Sequence, residues 1–191
     1  MAETPFPSTP LGNVESESDL VPDGNVMKTE TTLTLRDANR NKLVKVSHKD
    51  GSPTLGLNDF LGDYLPNLDD RRAIAASNGR TLEGLAMEWV VSCAEYFGAK
   101  KITVTDLGRW DDKKEMAATA LNVRRMLDLA DRVTASTPDS AQDYLMRVKD
   151  DGYYGQWGFA FNKKAAEHSS QREVKLANYK KITAGFVDMC V

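Results

Sequence analysis

Residues 78–105, NGRTLEGLAMEWVVSCAEYFGAKKITVT, constrain the fold of this chain more than any other stretch. Asn78-Gly79 is a sharp turn signal. Thr81 is placed to cap a helix, with Glu83 near its start. Leu82, Leu85, Trp89, Cys93 and Ala94 then recur at three- and four-residue spacing, and Val90 and Phe97 widen the stripe. Gly98 stops the helix, and the run KITVT that follows is short and β-branched, as an interior strand is. A turn, an amphipathic helix and a buried strand in direct succession belong to a chain whose helices cover a sheet.

The flanks extend this picture. Residues 27–36, MKTETTLTLR, alternate, with Leu33 and Leu35 on one face. Residues 42–48, KLVKVSH, place Val44 and Val46 on one face, and the turn formers of residues 37–41 join the two runs into a β-hairpin. Residues 55–77 fit two short helices. The first is capped by Asn58 and stopped by Pro66, and the second spans 68–77, where a strand over 73–76 fits as well. Residues 111–133 read as a charged amphipathic helix, and another helix starts at Pro138. Residues 153–161 read as an aromatic-rich strand, 170–181 as a helix, and 182–191 as a strand broken by Gly185. The expected fold is α+β with an α/β-like core: a central mixed sheet flanked by helices, with an inserted helix around 111–133.

A chain of 191 residues is long enough for one ordinary domain. Residues 1–24 carry Glu3, Glu15, Glu17, Asp19 and Asp23, no Lys or Arg, and Pro5, Pro7, Pro10 and Pro22. That composition predicts a disordered, acidic Pro/Ser-rich tail, leaving 25–191 as a single domain. Without those five acids, 23 acidic residues face 25 basic ones, a balance too mild for nucleic acid. No apolar run approaches the roughly 18 residues of a membrane span, and the N-terminus lacks the basic and apolar regions of a secretion signal. Two cysteines, Cys93 and Cys190, suit a reducing compartment, so a cytoplasmic location is expected. The tail adds an alternative, delivery from a bacterial cytoplasm into a host cell. His48 and His168 have no Cys or His at ligand spacing, so no metal site is expected, and both read as surface residues. Cys93 reads as a buried thiol on the apolar helix face.

Two segments carry candidate chemistry. Free backbone N–H groups and the helix dipole converge at a helix N-terminus and bind phosphate, which singles out the turn before residue 85. Residues 153–159, YYGQWGF, set a phenol beside a Gly-Phe pair, and a phenol stays protonated at neutral pH. In this order and polarity the segments resemble the GNAT-type N-acyltransferase superfamily, over about residues 78–105 and 140–162, with the hairpin at 27–48 compatible. In that family a Gln/Arg-x-x-Gly-x-Gly/Ala turn grips the pyrophosphate of coenzyme A. A Leu-Tyr-x-x-x-Gly-Phe segment supplies a tyrosine that protonates the departing thiolate.

The resemblance implies acetyl-coenzyme A held by Gly79, Arg80, Thr81, Leu82 and Gly84, with Tyr154 as general acid and Gly158-Phe159 leading into the next strand. The acyl group, acetyl first of all, would pass to an amine of a protein or small molecule. This chain departs from the pattern where residues 149–152, KDDG, break the helix that runs into the tyrosine, where Trp157 stands in place of a modest aliphatic residue, where a whole helix is inserted over 106–139, and at two further points. Glu83 puts a carboxylate where the family meets a pyrophosphate, and no strand is evident before Gly79 to carry substrate contacts and a general base. A second reading, of another class, is a non-enzymatic protein-binding effector or inhibitor on a degenerate scaffold of this kind. It rests on the acidic tail and the charged helix at 111–133. An open helix start favours the first reading, and one closed by Glu83 or Trp157 favours the second.

Overall fold

The two alternating runs pair as their spacing predicts. In a computed structural model, which describes residues 5–61, 73–74, 76–78, 82–105, 153–161 and 171–183, strands β2 (Val26–Arg36) and β3 (Lys42–Lys49) are antiparallel. Leu33 faces Val46 and Leu35 faces Val44, and all four are fully buried. The loop between the strands is tied by Asp37, whose carboxylate accepts from the Asn41 backbone N–H at 2.8 Å and from its side-chain amide at 3.0 Å. A register shift beside Leu35 gives β3 an extra residue, Leu43, which is buried next to Val44.

Strand β4 (Thr54–Phe60) occupies the place where a helix capped by Asn58 was expected. It pairs antiparallel with β3 through a tight turn in which the Ser52 N–H donates to the Lys49 carbonyl at 2.9 Å, with Gly51 at φ 73°. Leu55 and Leu57 alternate inward, and Phe60 then falls out of phase. A bulge restores the phase: Val46 faces Leu57, Val44 faces Phe60, and Asn58 is the extra residue, its amide donating to Ser47 Oγ at 2.9 Å. All three apolar residues are buried. A bulge is a property of two paired strands and cannot be read from the period of one segment.

The first 24 residues also depart from expectation. Strand β1 (Asn13–Asp23) pairs with β2 along its whole length, through a two-residue turn at Gly24-Asn25. Gly24 sits at φ 64° in the first central position, as a type II′ hairpin turn requires. The composition misled because an edge strand takes its order from its partner's backbone and needs little apolar content, and Pro22 is tolerated there. On its outer face Lys28 hydrogen-bonds Asp23 at 2.6 Å and, by that bond and its charge, holds the carboxyl below the usual carboxylate range. Ahead of β1, Leu11 is buried and the Pro7 carbonyl accepts from Trp89 Nε1 at 2.8 Å.

Gly12 seats this segment. A Cβ built there would lie 1.9 Å from the Arg36 carbonyl oxygen, and backbone cannot swing aside. Gly12→Ala is expected to destabilise by about 1–3 kcal/mol, the range for overpacking. Chemical denaturation should show a lower midpoint at unchanged slope, and a wild-type midpoint would mean the segment is not seated on β2.

Helix α1 (Leu82–Tyr96) follows, and it is buried more completely than a single stripe implies. Ala86, Met87 and Val91 are covered as well as the predicted Leu82, Leu85, Trp89, Val90, Cys93 and Ala94. Strands β3 and β4 contact the helix, and the segment ahead of β1 adds cover through Pro7 and through Phe6, whose ring meets Tyr96 at 5.3 Å. The helix ends in a Schellman motif: Gly98 at φ 67° donates to the Glu95 carbonyl at 3.0 Å, and Ala99 N–H to Ala94 at 2.8 Å. The reversal brings Lys100 and Lys101 to the Pro53 carbonyl, at 2.8 and 3.2 Å, just ahead of β4. Strand β5 (Lys101–Thr105) therefore starts beside the beginning of β4.

The chain is of the α+β class, a mixed sheet with a few helices. It divides into two compact units, Met1–Ile102 and Thr103–Val191, in place of a single domain starting at residue 25. Within the first unit the strand order is β1-β2-β3-β4, and β5 crosses the unit boundary. In the second, residues expected as a strand form a 3-10 helix, Tyr153–Trp157, and only Ala160–Phe161 continue as strand β6. Residues expected as one helix divide into strand β7 (Gln171–Lys175), antiparallel to β6, and helix α2 (Leu176–Thr183). Phe159, Val174 and Tyr179 are buried in this unit. The helices expected over 111–133 and from Pro138 lie outside the described residues. No described helix is long and apolar enough to cross a membrane.

Candidate functional site

The predicted site divides between the two units. Gly79, Arg80 and Thr81 lie outside the described residues, whereas Leu82 and Gly84 form the first turn of α1 in the first unit. Leu82 is sealed into the core and Gly84 is half-buried. Tyr154 belongs to the second unit. Strand β4 is the last described strand before the turn, with helical residues 73–74 and 76–77 between the two. It ends at Phe60, and Leu61, at φ 48° and buried, donates its N–H to the Leu43 carbonyl at 2.7 Å.

Glu83 gives the helix start its electrostatics. It is only 6% exposed, and its Oε2 is buried with no hydrogen-bond partner among the described residues. A carboxylate in the first turn is favoured by the helix dipole, so the helix supplies part of its own counter-charge there. The same carboxylate opposes a second anion at that turn and can accept a hydrogen bond from an amine or hydroxyl.

Tyr154 stands on the 3-10 helix, half-buried, with its ring 5.7 Å from Phe159 and 6.3 Å from Trp157. The turn closes through the Gly158 N–H on the Gly155 carbonyl at 2.9 Å and the Phe159 N–H on the Tyr154 carbonyl at 3.3 Å. Gly158 takes φ 81°, a conformation that favours glycine, and the chain then enters β6. Phe159 and Trp157 are buried, and Tyr154 is half-buried beside them.

Two further side chains bear on chemistry. His48, expected on the surface, is 4% exposed on the core side of β3. Its ring stacks on Phe97 at 4.6 Å, Nε2 meets the Ser52 carbonyl at 2.9 Å, and Nδ1 has no partner among the described residues. The strand register carries the signal that could have placed it, since residue 48 continues the inward series of Val44 and Val46. Cys93 is a buried free thiol on α1, and burial pushes its pKa up, which leaves it protonated and a poor nucleophile. Among the described residues no group of three or more His, Cys, Asp or Glu is placed to hold a metal ion. No family model matches the chain, and no curated protein or solved structure matches it either.

Proposed function

We propose that this chain is an N-acyltransferase of GNAT type, transferring an acyl group, acetyl first of all, from coenzyme A to an amine of a protein or small molecule. The observation that carries this reading is the passage from a glycine-bearing helix start through α1 and Gly98 into strand β5, which begins beside the start of β4. The arrangement of Tyr154 on a helical turn ahead of Gly158, Phe159 and β6 agrees with it. Acetyl-coenzyme A would supply the acyl group as a thioester. The half-buried Tyr154 hydroxyl would give its proton to the departing sulfur, a task suited to a neutral phenol. The helix start offers backbone donors to a phosphate, while the Glu83 carboxylate does not fit one and has to be neutral or turned away in a complex.

That burial of Glu83 favours the second reading, a protein-binding factor without catalysis on a scaffold of this kind. Calorimetric titration with acetyl-coenzyme A separates the two. The acyltransferase reading expects binding that tightens in Glu83→Gln, as a buried like charge is removed. It also expects Tyr154→Phe to slow turnover while sparing cofactor affinity, because the phenol acts only as the thiolate leaves. No heat at about 1 mM ligand, a limit that corresponds to roughly 4 kcal/mol of binding, would leave the binding factor standing.

A further inference from the structure

We propose that the outer edge of β1 is a docking site for an extended protein segment in which basic and apolar residues alternate. β1 lies at one end of the strand order of the first unit, and no described strand pairs with its outer side. A strand of 11 residues paired on one side only leaves alternate N–H and C=O groups facing outward along its length. Most of its side chains are exposed, so the edge is reachable.

The two faces of this edge differ in chemistry. The pairing with β2 puts Glu15, Glu17, Asp19 and Asp23 on one face, with Val21 between the last two. Arg36 holds Glu15 at 2.6 Å, and Lys28 holds Asp23. Glu17 and Asp19 have no ion-pair partner among the described residues, and Asp19 lies directly opposite Glu30, a like-charge pair that destabilises a ladder. A cation laid against the outer side of Asp19 would relieve that pair. The other face continues the core side of the sheet and carries Val14, Ser16, Ser18 and Leu20, with Met27 across from Pro22. Leu20 is 69% exposed and Met27 59%.

An incoming strand therefore meets mainly acid on one face, and on the other a face that is apolar towards its ends, at Val14 and Leu20, with Ser16 and Ser18 between them. The segment that complements it sets Lys or Arg beside Glu17 and Asp19 and apolar side chains beside Val14 and Leu20. A second copy of this chain meets like charge in two simple registers. Antiparallel pairing of two β1 strands about Ser18 would lay Glu17 against Asp19, and parallel pairing would lay each acid against itself. This inference does not depend on acyl transfer.

The test uses the full chain and an acetylated peptide alternating lysine and valine. A control peptide of the same composition has its lysines and valines in separate blocks. The expected result is saturable binding of the alternating peptide, weakened by salt, with shift changes and slowed exchange confined to β1 amides. Glu17→Lys with Asp19→Lys should weaken it about tenfold or more, since two attractive cross-strand pairs become repulsive. Both side chains are exposed, so the double variant should keep the wild-type circular dichroism and unfolding midpoint. The proposal is overturned by no binding of the alternating peptide, by equal binding of the block peptide, by an affinity indifferent to the charge reversal, or by sedimentation showing that the chain dimerises through β1.

Discussion

Removing residues 1–23 is expected to lower the thermal midpoint sharply. The segment would take with it the whole of β1, the buried Leu11 and the carbonyl that accepts from Trp89 Nε1. Burial of a leucine contributes about 1.5–3 kcal/mol, and a buried N–H left without an acceptor costs about 1–3 kcal/mol. Together these put the loss near 2.5–6 kcal/mol, which for a chain of this size is on the order of 10 °C in the midpoint. Scanning calorimetry of the truncated and full chains measures it. Leu20→Ser is the companion variant, because Leu20 is exposed at the far end of the same strand and its loss should leave the midpoint within error. A truncated chain melting with the full one would show that α1 does not need the cover of residues 5–12.

Trp89→Ala should be comparably damaging, at about 3–5 kcal/mol, the range for deleting a large buried aromatic. Trp89 is 1% exposed, and its indole joins the core of α1 to the N-terminal segment. Leu85→Ala, on the same helix and nearly as deep, should cost about 2–5 kcal/mol. Urea unfolding of both variants gives the values, and surface-like behaviour at either position would mean that the helix is rotated from the orientation described. Trp89→Phe isolates the hydrogen bond. Combined with truncation of residues 1–23 it should be less than additive, because both changes break the same bond, with a coupling of about 0.5–3 kcal/mol.

The candidate site was partly legible. Tyr154, Gly158 and Phe159 could be singled out because a glycine beside aromatics at a strand entry has a local reason, and Gly158 indeed sits at positive φ. Leu82 and Gly84 could be placed at a helix start from the stripe that follows them. The burial of Glu83 and His48 was not legible, since a charged or polar residue in a sequence reads as surface until its neighbours are known. Both are covered by segments distant in the chain or by a packed element, and each keeps a polar atom without a partner among the described residues.

The sequence by itself determined the elements whose periodicity is local. The β2–β3 hairpin follows from Leu33, Leu35, Val44 and Val46 around a turn-forming loop, and the α1–Gly98–β5 passage follows from a helical stripe, a left-handed glycine and a β-branched run. Tertiary structure decided the rest, because the deciding interactions join residues far apart. β1 exists through β2's backbone and a glycine that fits only against Arg36. β4 stays in phase through a bulge that needs β3 to define it. The near-complete burial of α1 depends partly on an indole reaching 82 residues back to the Pro7 carbonyl. Local propensity is a sum over neighbours in the chain, whereas burial and register are set by neighbours in space, and only the first can be read along a line.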